Sequence, residues 1–272
     1  MKQFPFQTRH LRLVPLVALL SLSCCATELP MMPPLEPYAA LPPRVDPVDH
    51  PFQLGEDLTY SATVAGFHAG AARMRVQADP DNPEHLIFEL SAASSPLASL
   101  AWDYEESLRV VAEAATLRPQ QANSHSVLDQ KSHDVRSAFD ALTGTIIVHR
   151  TKANRSSVRV IAVEDAWDPL SLVYLMRGLD LNTLVERSFD VLVGTRLYRL
   201  SITRVGSETL DLDALGEIPC LHLRIKLWRH GLVRIEPDEI DVWMASEGAH
   251  ELIQVDKGTA LGHLKLQLAS RN

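Results

Sequence analysis

Apolar and polar residues alternate along much of the chain after residue 52. The clearest run is Leu221 to Trp228, where every second residue is aliphatic. Successive side chains of a strand point to opposite faces, so this period of two predicts strands that bury one face. The same pattern predicts further strands over 58–64, 72–77, 198–202 and 264–268.

Short turn-forming segments separate the predicted strands. They are rich in glycine, proline, asparagine and aspartate, which suit the backbone conformations of tight turns. A meander of such strands with one apolar face must curl or be covered. The sequence therefore predicts an all-β, mainly antiparallel fold, either a strongly curved sheet or a β-barrel-like domain with one or two short helices. The predicted turns are 65–66, 79–83, 140–144, 193–194 and 256–258, and the weakly patterned 152–158 is expected to be a long surface loop.

One segment, Asp168 to Gly178, has the signals of a helix instead of a strand. Asp168 is a good N-cap, Pro169 suits the first helical position, and Gly178 suits a left-handed stop. Apolar residues nearly encircle this helix, so we expect it to be buried. A second short helix is predicted around residues 95–102.

The N-terminus has the three parts of an export signal. A basic stretch precedes an uncharged run, Leu13 to Leu22, which is too short to span a bilayer as a helix. The segment from Leu20 to Cys24 resembles the lipobox of bacterial lipoproteins. That resemblance implies cleavage before Cys24 and acylation of Cys24. Cleavage before Cys25 is a second register, and an ordinary cleaved signal without lipid is the alternative.

Eight prolines crowd residues 30–51. This composition favours an extended segment of about 3.1 Å per residue, which could hold the following domain roughly 70 Å from an anchor. We therefore divide the chain into a signal peptide (1–23), a lipidated cysteine with a proline-rich tether (24–51) and one domain (52–272). Cys25, and not Asp, follows Cys24, which favours an anchor in the outer membrane with the domain facing the periplasm.

The net charge of the chain limits the classes of partner that it is expected to bind. The formal net charge is −8, and loss of Lys2, Arg9 and Arg12 with the leader removes three positive charges, which leaves −11 on the mature part. Such a surface repels phosphate backbones, so nucleic acid is not an expected partner. Once Cys24 and Cys25 are set aside, only Cys220 remains, which excludes a disulfide framework within the domain. We interpret Cys220 as a small buried hydrophobe and not as a nucleophile.

Five short segments form an ordered set along the chain. They are Phe52 to Tyr60, Gly66 to Gly70, Phe139-Asp140 with Gly144, Asp168 to Ser171 with Tyr174 and Arg177, and Trp243 with Gly262. In this order they resemble the bacterial domain-of-unknown-function 3108 family, over about Phe52 to Leu268. The resemblance implies an exported or periplasmic β-rich protein and brings no catalytic residues. Residues 245–252 depart from the family pattern, which weakens any role carried by the last hairpin.

Polar groupings in the sequence are better explained by structure than by chemistry. Asp168, Ser171, Tyr174 and Arg177 fall at spacings of three on one helix face, but Asp168 serves as the cap and Arg177 complements the helix C-terminus. Gly66 and Gly70 more simply permit a tight reversal and a close approach of strands.

Residue types that could bind a metal or act in catalysis also have simpler structural explanations. His125 and His133 could meet across a hairpin, yet their spacing matches no metal motif. Four acidic residues around Pro237 fit a solvated turn better than paired catalytic carboxylates or calcium ligands. We predict no catalytic, cofactor-binding or metal-binding residue, and Cys24 is the one modified site. The four acidic residues are Glu236, Asp238, Glu239 and Asp241.

These features favour a non-enzymatic, membrane-tethered module. A curved sheet with a covering helix would offer a groove for a lipid-like ligand or an envelope partner. One alternative is a structural or assembly lipoprotein that acts through protein contacts. Another is a hydrolase of an envelope polymer, because a catalytic triad can be scattered in sequence.

Overall fold

The computed structural model describes residues 50–153, 155–230 and 238–272. The predicted signal peptide, Cys24, Cys25 and nearly all of the predicted tether lie outside these residues. The described chain forms one sheet of fifteen strands and one α-helix. The strands are β1 (Asp57–Val64), β2 (Phe67–Ala78), β3 (His85–Ser94), β4 (Tyr104–Glu113), β5 (Pro119–Leu128), β6 (Lys131–Asp140), β7 (Thr145–Lys152), β8 (Arg155–Ala162), β9 (Ala166–Trp167), β10 (Glu186–Val193), β11 (Arg196–Leu212), β12 (Gly216–Arg229), β13 (Asp238–Ala245), β14 (Leu252–Thr259) and β15 (Gly262–Arg271), and the helix is α1 (Pro169–Arg177).

Except for β8 and β9, which form the two edges, strands that are consecutive in the chain are neighbours in the sheet, and the first strand also pairs with the last. Strands β8 to β1 run in reverse order, β1 pairs with β15, and the order then descends from β15 to β9. Every pairing is antiparallel except that of β9 with β10. The predicted all-β, mainly antiparallel fold is therefore confirmed, and each of the five predicted strands lies within an observed one.

The two edges of the sheet overlap. Val191 of β10 belongs to the main core, which also holds α1. On the opposite face of β10, Leu192 packs with Ile146 and Val148 of β7 and with Ile161 of β8 in a second apolar cluster. Because β7 and β8 form one edge of the sheet and β10 lies near the other, the sheet is curled into a closed, barrel-like form.

The barrel has two distinct ends. At the helix end β1 begins, β15 terminates, and Arg177 at the end of α1 reaches Glu56 and Ala249. The opposite end, called the rim end below, carries the β1–β2, β3–β4 and β14–β15 connections. The first described residue, His50, contacts the carbonyl oxygen of Ala114, after β4, so the chain enters at the helix end.

The predicted helix is present and buried. Seven of the nine residues of α1 are buried, as its apolar circumference requires. Asp168 caps the helix by accepting hydrogen bonds from the backbone N–H groups of Leu170 and Ser171, at 2.8 and 3.1 Å. The left-handed stop was wrong, since Gly178 has φ −86°. Only a short 3₁₀ turn, Ala98–Leu100, forms in the predicted second helix.

Two loop predictions were wrong for the same reason. Residues 152–158 are not a long loop, because β7 continues to Lys152 and β8 begins at Arg155. The turn predicted at 256–258 lies inside β14, and the reversal falls at 259–262. In both places hydrogen bonding to a neighbouring strand overrides local turn propensity.

The two glycines of the β1–β2 hairpin act as predicted. Gly66 has φ +84°, a conformation that favours glycine in the tight reversal. A Cβ atom on Gly70 would overlap the carbonyl oxygen of Ala93 on β3. Gly70 therefore permits a close approach of β2 and β3.

Candidate functional site

A cavity of about 110 Å³ lies between α1 and the inner face of the sheet. All sixteen residues that line it are apolar, and they come from the helix and from strands on both sides of the barrel. They are Met74, Leu90, Leu108, Pro169, Leu170, Leu172, Val173, Met176, Val191, Leu200, Ile225, Ile240, Val242, Met244, Leu252 and Val255.

The periodicity of the strands places these residues inside. Met74, Leu200 and Ile225 are members of the alternating runs from which the strands were predicted, so their inward orientation follows from the sequence pattern. The helix contributes five lining residues because it is apolar on nearly every side. Sequence analysis could thus identify the apolar faces, although it could not show that they leave a space between them.

A buried ion pair secures α1 at the helix end of the barrel. Arg177 is 1% exposed, and its two terminal nitrogens donate to the Glu56 carboxylate at 2.6 and 2.7 Å. Its Nε donates to the carbonyl oxygen of Ala249 at 2.9 Å. Burial alone would lower the pKa of Arg177, but the bonds and charge of Glu56 outweigh it and raise that pKa. The guanidinium therefore stays charged in the interior.

Aromatic rings complete the packing around this ion pair. The Tyr174 ring stacks on Phe88 with centroids 4.3 Å apart, and Phe52 meets Tyr174 edge-on at 5.1 Å. The Arg177 guanidinium lies 5.3 Å from the Tyr174 ring centroid and 5.6 Å from that of Phe52. These contacts close the helix end with charge-on-ring and ring-on-ring packing.

The interior becomes polar toward the rim end. On β4, Glu106 is the inward residue next to cavity-lining Leu108, and on β14, Lys257 is the inward residue next to Val255. Both charged residues are buried, and Tyr104 donates a 2.5 Å hydrogen bond to Glu106. Two residues along a strand span about 7 Å, so these polar groups lie one step from the cavity.

The chemistry available in the cavity is that of apolar contact. No hydroxyl, imidazole or carboxylate belongs to its lining among the described residues. Three of its side chains, Met74, Met176 and Met244, are flexible thioethers that adapt to irregular shapes. The cavity therefore suits an apolar group.

The polar residues that share one face of α1 have structural roles. Asp168 and Ser171 hydrogen-bond to one another at the start of the helix. Desolvation raises the pKa of Asp168, against the hydrogen bonds from Ser171 and Leu170, which lower it. The prediction that Arg177 complements the helix C-terminus missed its main partner, Glu56, because a contact across more than a hundred residues has no local signal.

The histidine pair and the acidic group form no common site. His125 faces Asp134 across the β5–β6 hairpin, with 2.8 Å between His125 Nδ1 and the carboxylate, whereas His133 is opposite Ser126 on the other face. Asp241 belongs to β13 and accepts from His222 and Arg224, so the predicted solvated turn was wrong for this part of the acidic group. Asp238 and Glu239 also lie in β13, and Glu236 lies outside the described residues.

Cys220 is a buried hydrophobe, as predicted. It is 1% exposed on β12, and desolvation raises the pKa of its thiol to about 11. In the described ranges, no group of three or more His, Cys, Asp or Glu could hold a metal ion. The predicted lipidation of Cys24 lies outside the described residues and stays a prediction.

Sequence analysis missed the charged residues of the interior. Lys257 was assigned to a turn because Asp256 and Gly258 flank it, and this assignment hid its inward position on β14. The alternation of Tyr104, Glu106 and Leu108 along β4 was the available signal for Glu106. No helix in the described part of the chain is both long and apolar enough to cross a bilayer.

Solved structures resemble this chain in fold. A β-barrel-like protein of the domain of unknown function DUF1849 from Brucella abortus has a TM-score of 0.57 at 8% identity, covering 80% of this chain and 97% of its own. A candidate lipoprotein from Parabacteroides distasonis gives 0.35 at 9% identity, with 81% and 96% covered. A candidate exported protein with a YmcC-like fold from Bacteroides fragilis gives 0.30 at 10% identity, with 81% and 96% covered. The first of these supports the barrel-like fold.

Sequence comparison agrees with the resemblance found along the chain. None of the curated proteins compared with the chain matches it. The family described as "Protein of unknown function (DUF3108)" matches over residues 59–269, which is most of the chain and nearly all of the described barrel. The chain therefore belongs to the DUF3108 family.

Proposed function

We propose that this chain is a non-enzymatic, lipid-anchored module of the cell envelope that holds an apolar, lipid-like group in the cavity beneath α1. The observation that carries the proposal is the uniformly apolar lining of that cavity. A cavity of this kind excludes water and accepts apolar ligands, because water there would lack hydrogen-bond partners.

The size of the cavity limits how much of a ligand it can hold without rearrangement of its lining. An apolar cavity of about 150 Å³ in another protein binds benzene, so about 110 Å³ accommodates a small apolar group or one segment of an acyl chain. A whole acyl chain requires the lining to move apart. The three methionines supply that adaptability, since their side chains repack at little cost.

The position of the buried charges favours an amphipathic ligand. Its apolar part would lie beneath α1, and its polar part would point toward Glu106 and Lys257 at the rim end. The helix end is closed by Arg177, Glu56 and the aromatic rings, so the rim end is the proposed entry.

Native mass spectrometry of protein purified without detergent tests this proposal. We expect a retained ligand, or uptake of an added fatty acid, at one molecule per chain. Val173→Phe fills the cavity from the partly exposed face of α1 and should abolish the bound mass. Val185→Phe is the matched control, since Val185 is exposed in the connection before β10.

Either of two results would refute the cavity as the site. One is a purified protein that neither carries nor takes up a lipid-like ligand. The other is a Val173→Phe variant that is folded, by circular dichroism and thermal unfolding, and binds as well as the Val185→Phe control.

The anchor and its location are a separate part of the proposal. Acylation of Cys24 would hold the chain in the outer membrane with the barrel facing the periplasm. Cys24→Ala should abolish incorporation of labelled fatty acid and release the protein from the membrane fraction. Continued labelling of the Cys24→Ala variant would indicate that Cys25 is the acylated residue. Wild-type protein found in the soluble fraction would contradict the anchor.

Protein contact is the second candidate function, and one observation favours it. β8 forms an edge of the sheet and pairs only with β7 in the described chain. Ile147, Val158 and Val160 expose apolar side chains on the outer face of this hairpin. Cross-linking in cells through a photoreactive residue at position 158 should capture an envelope protein if this edge is used, and a clean negative would count against it.

A further inference from the structure

Four exposed large apolar side chains project from adjacent connections at the rim end. Phe67 is 78% exposed, Leu97 77%, Leu100 85% and Leu261 39%. We call these four residues the apolar rim. Single exposed hydrophobic residues are ordinary on protein surfaces, whereas a group of them marks an interaction site.

Hydrogen bonds show that the three connections lie side by side. The Ala65 N–H, in the β1–β2 turn, donates to the carbonyl oxygen of His263 at 3.0 Å, beside the β14–β15 turn. On the other side, the Ser95 N–H, in the β3–β4 connection, donates to the carbonyl oxygen of Ala69 at 2.8 Å. Leu261, Phe67 and the Leu97–Leu100 turn therefore follow one another around the mouth of the barrel.

Other exposed apolar residues are arranged differently. Leu54, Leu142 and Val185 are exposed at the helix end, but they precede β1, join β6 to β7 and precede β10, which are well separated in the sheet order. Their separation makes them a natural control group for the apolar rim.

We infer that the apolar rim inserts into the surface of a lipid bilayer. The choice of a lipid bilayer as the partner of the apolar rim rests on the proposed function, since a module that takes up a lipid-like group at the rim end must meet a lipid phase there. Protruding side chains on separate loops suit the disordered, deformable interface of a bilayer, which requires no complementary shape.

The length of chain before the barrel permits this orientation. The predicted anchor joins the barrel at the helix end, opposite the rim. The ten residues of β4 run from the rim end to the helix end and span about 33 Å, which approximates the height of the barrel. The proline-rich stretch would reach roughly 70 Å if it were extended, which is about twice that height. The tether is therefore long enough for the rim to turn back onto the membrane that holds the anchor.

The net charge predicts which bilayer binds. At a formal −11, which is the −8 of the full sequence less Lys2, Arg9 and Arg12, the mature chain is repelled by anionic headgroups, so insertion must depend on apolar contact and not on electrostatic attraction. Binding to zwitterionic vesicles should persist at high salt.

Flotation with phosphatidylcholine vesicles tests the inference. The mature chain from residue 24, with Cys24→Ser and Cys25→Ser to exclude acylation, should float with the vesicles at low and at high salt. The triple variant Phe67→Ser, Leu97→Ser, Leu100→Ser should lose about tenfold or more of its partitioning, because partitioning scales with buried apolar area. The control triple variant Leu54→Ser, Leu142→Ser, Val185→Ser should float as the parent does.

Three results would overturn the inference: no flotation of the parent, equal flotation of the rim variant, or binding that requires anionic lipid and disappears at high salt. Native mass spectrometry separates this inference from the proposed function. A parent that carries a ligand but does not float refutes only the bilayer contact, and one that floats without ever holding a ligand refutes only the cavity. The rim variant should keep its ligand.

Discussion

The two ends of the barrel use large side chains in opposite ways. At the helix end Arg177, Glu56, Phe52 and Tyr174 are packed together, and the Arg177 guanidinium donates to both oxygens of the Glu56 carboxylate. At the rim end Phe67, Leu97 and Leu100 project into solvent. The comparison indicates that the helix end stabilises the fold, whereas the rim contributes little to folding and is available for contact.

The largest effect is expected from Arg177→Met. This change leaves the Glu56 carboxylate, whose side chain is only 10% exposed, without its partner, which should lower the free energy of unfolding by about 3–5 kcal/mol in urea denaturation. Arg73→Met is the control. Arg73, like Arg177, pairs with a carboxylate, that of Asp57, but it does so at the surface, where solvent screens the interaction. Equal losses in the two variants would contradict a special role for the helix end.

Gly70→Ala tests how tightly the strands beneath the rim are packed. Its Cβ would overlap the Ala93 carbonyl oxygen, so β2 and β3 must move apart, at a cost of about 1–3 kcal/mol. Gly206→Ala is the control, since a Cβ there meets nothing within 4 Å. Thermal unfolding should separate the two variants, and a Gly70→Ala protein as stable as Gly206→Ala would refute the close approach.

Asp168 tests the cap of α1 and its dependence on pH. Asp168→Ala removes the acceptor for two backbone N–H groups and should cost about 1–2 kcal/mol, whereas Asp168→Asn keeps a good cap. Burial raises the folded-state pKa of Asp168, so its stabilising contribution is complete below the unfolded pKa near 3.8 and is lost as pH rises through the folded pKa.

Urea denaturation of the wild type and Asp168→Asn between acidic and neutral pH measures this dependence. The difference in stability should shift in favour of Asn as the pH rises. A shift in favour of Asp would mean that the capping bonds, and not desolvation, dominate the pKa.

The smallest effect on folding is expected at the rim. Phe67→Ser should change the free energy of unfolding by about 0.5 kcal/mol or less, because the side chain is exposed and packs little. Its flotation with vesicles should nevertheless fall. A strongly destabilised Phe67→Ser variant would show that the rim also supports the fold and would erase the contrast between the ends.

Strands with one buried face were predictable, and strands with other patterns were not. β1 and β12 alternate cleanly and were found from that pattern. β10 is buried continuously from Phe189 to Val193 because the overlapping edge covers its outer face, so it has no period of two. β5 and β6 are mostly polar and expose much of both faces, and their pairing with neighbours determines their structure.

The candidate site depends on tertiary structure more than the fold does. Capping residues identify α1, because the cap and the first turn are adjacent in sequence. The cavity depends on how side chains from many strands fill the space around the helix, which no local pattern records. The Glu56–Arg177 pair joins residues 121 apart, and the rim is formed by three separate connections.

The central claim is that the cavity beneath α1 holds a lipid-like group, and an equilibrium titration with a fluorescent fatty acid tests it most directly. The account predicts saturable binding of one molecule per chain, which Val173→Phe abolishes and which Val185→Phe and Phe67→Ser both retain. Absence of saturable binding to the folded parent, or unchanged binding to a folded Val173→Phe variant, would contradict it.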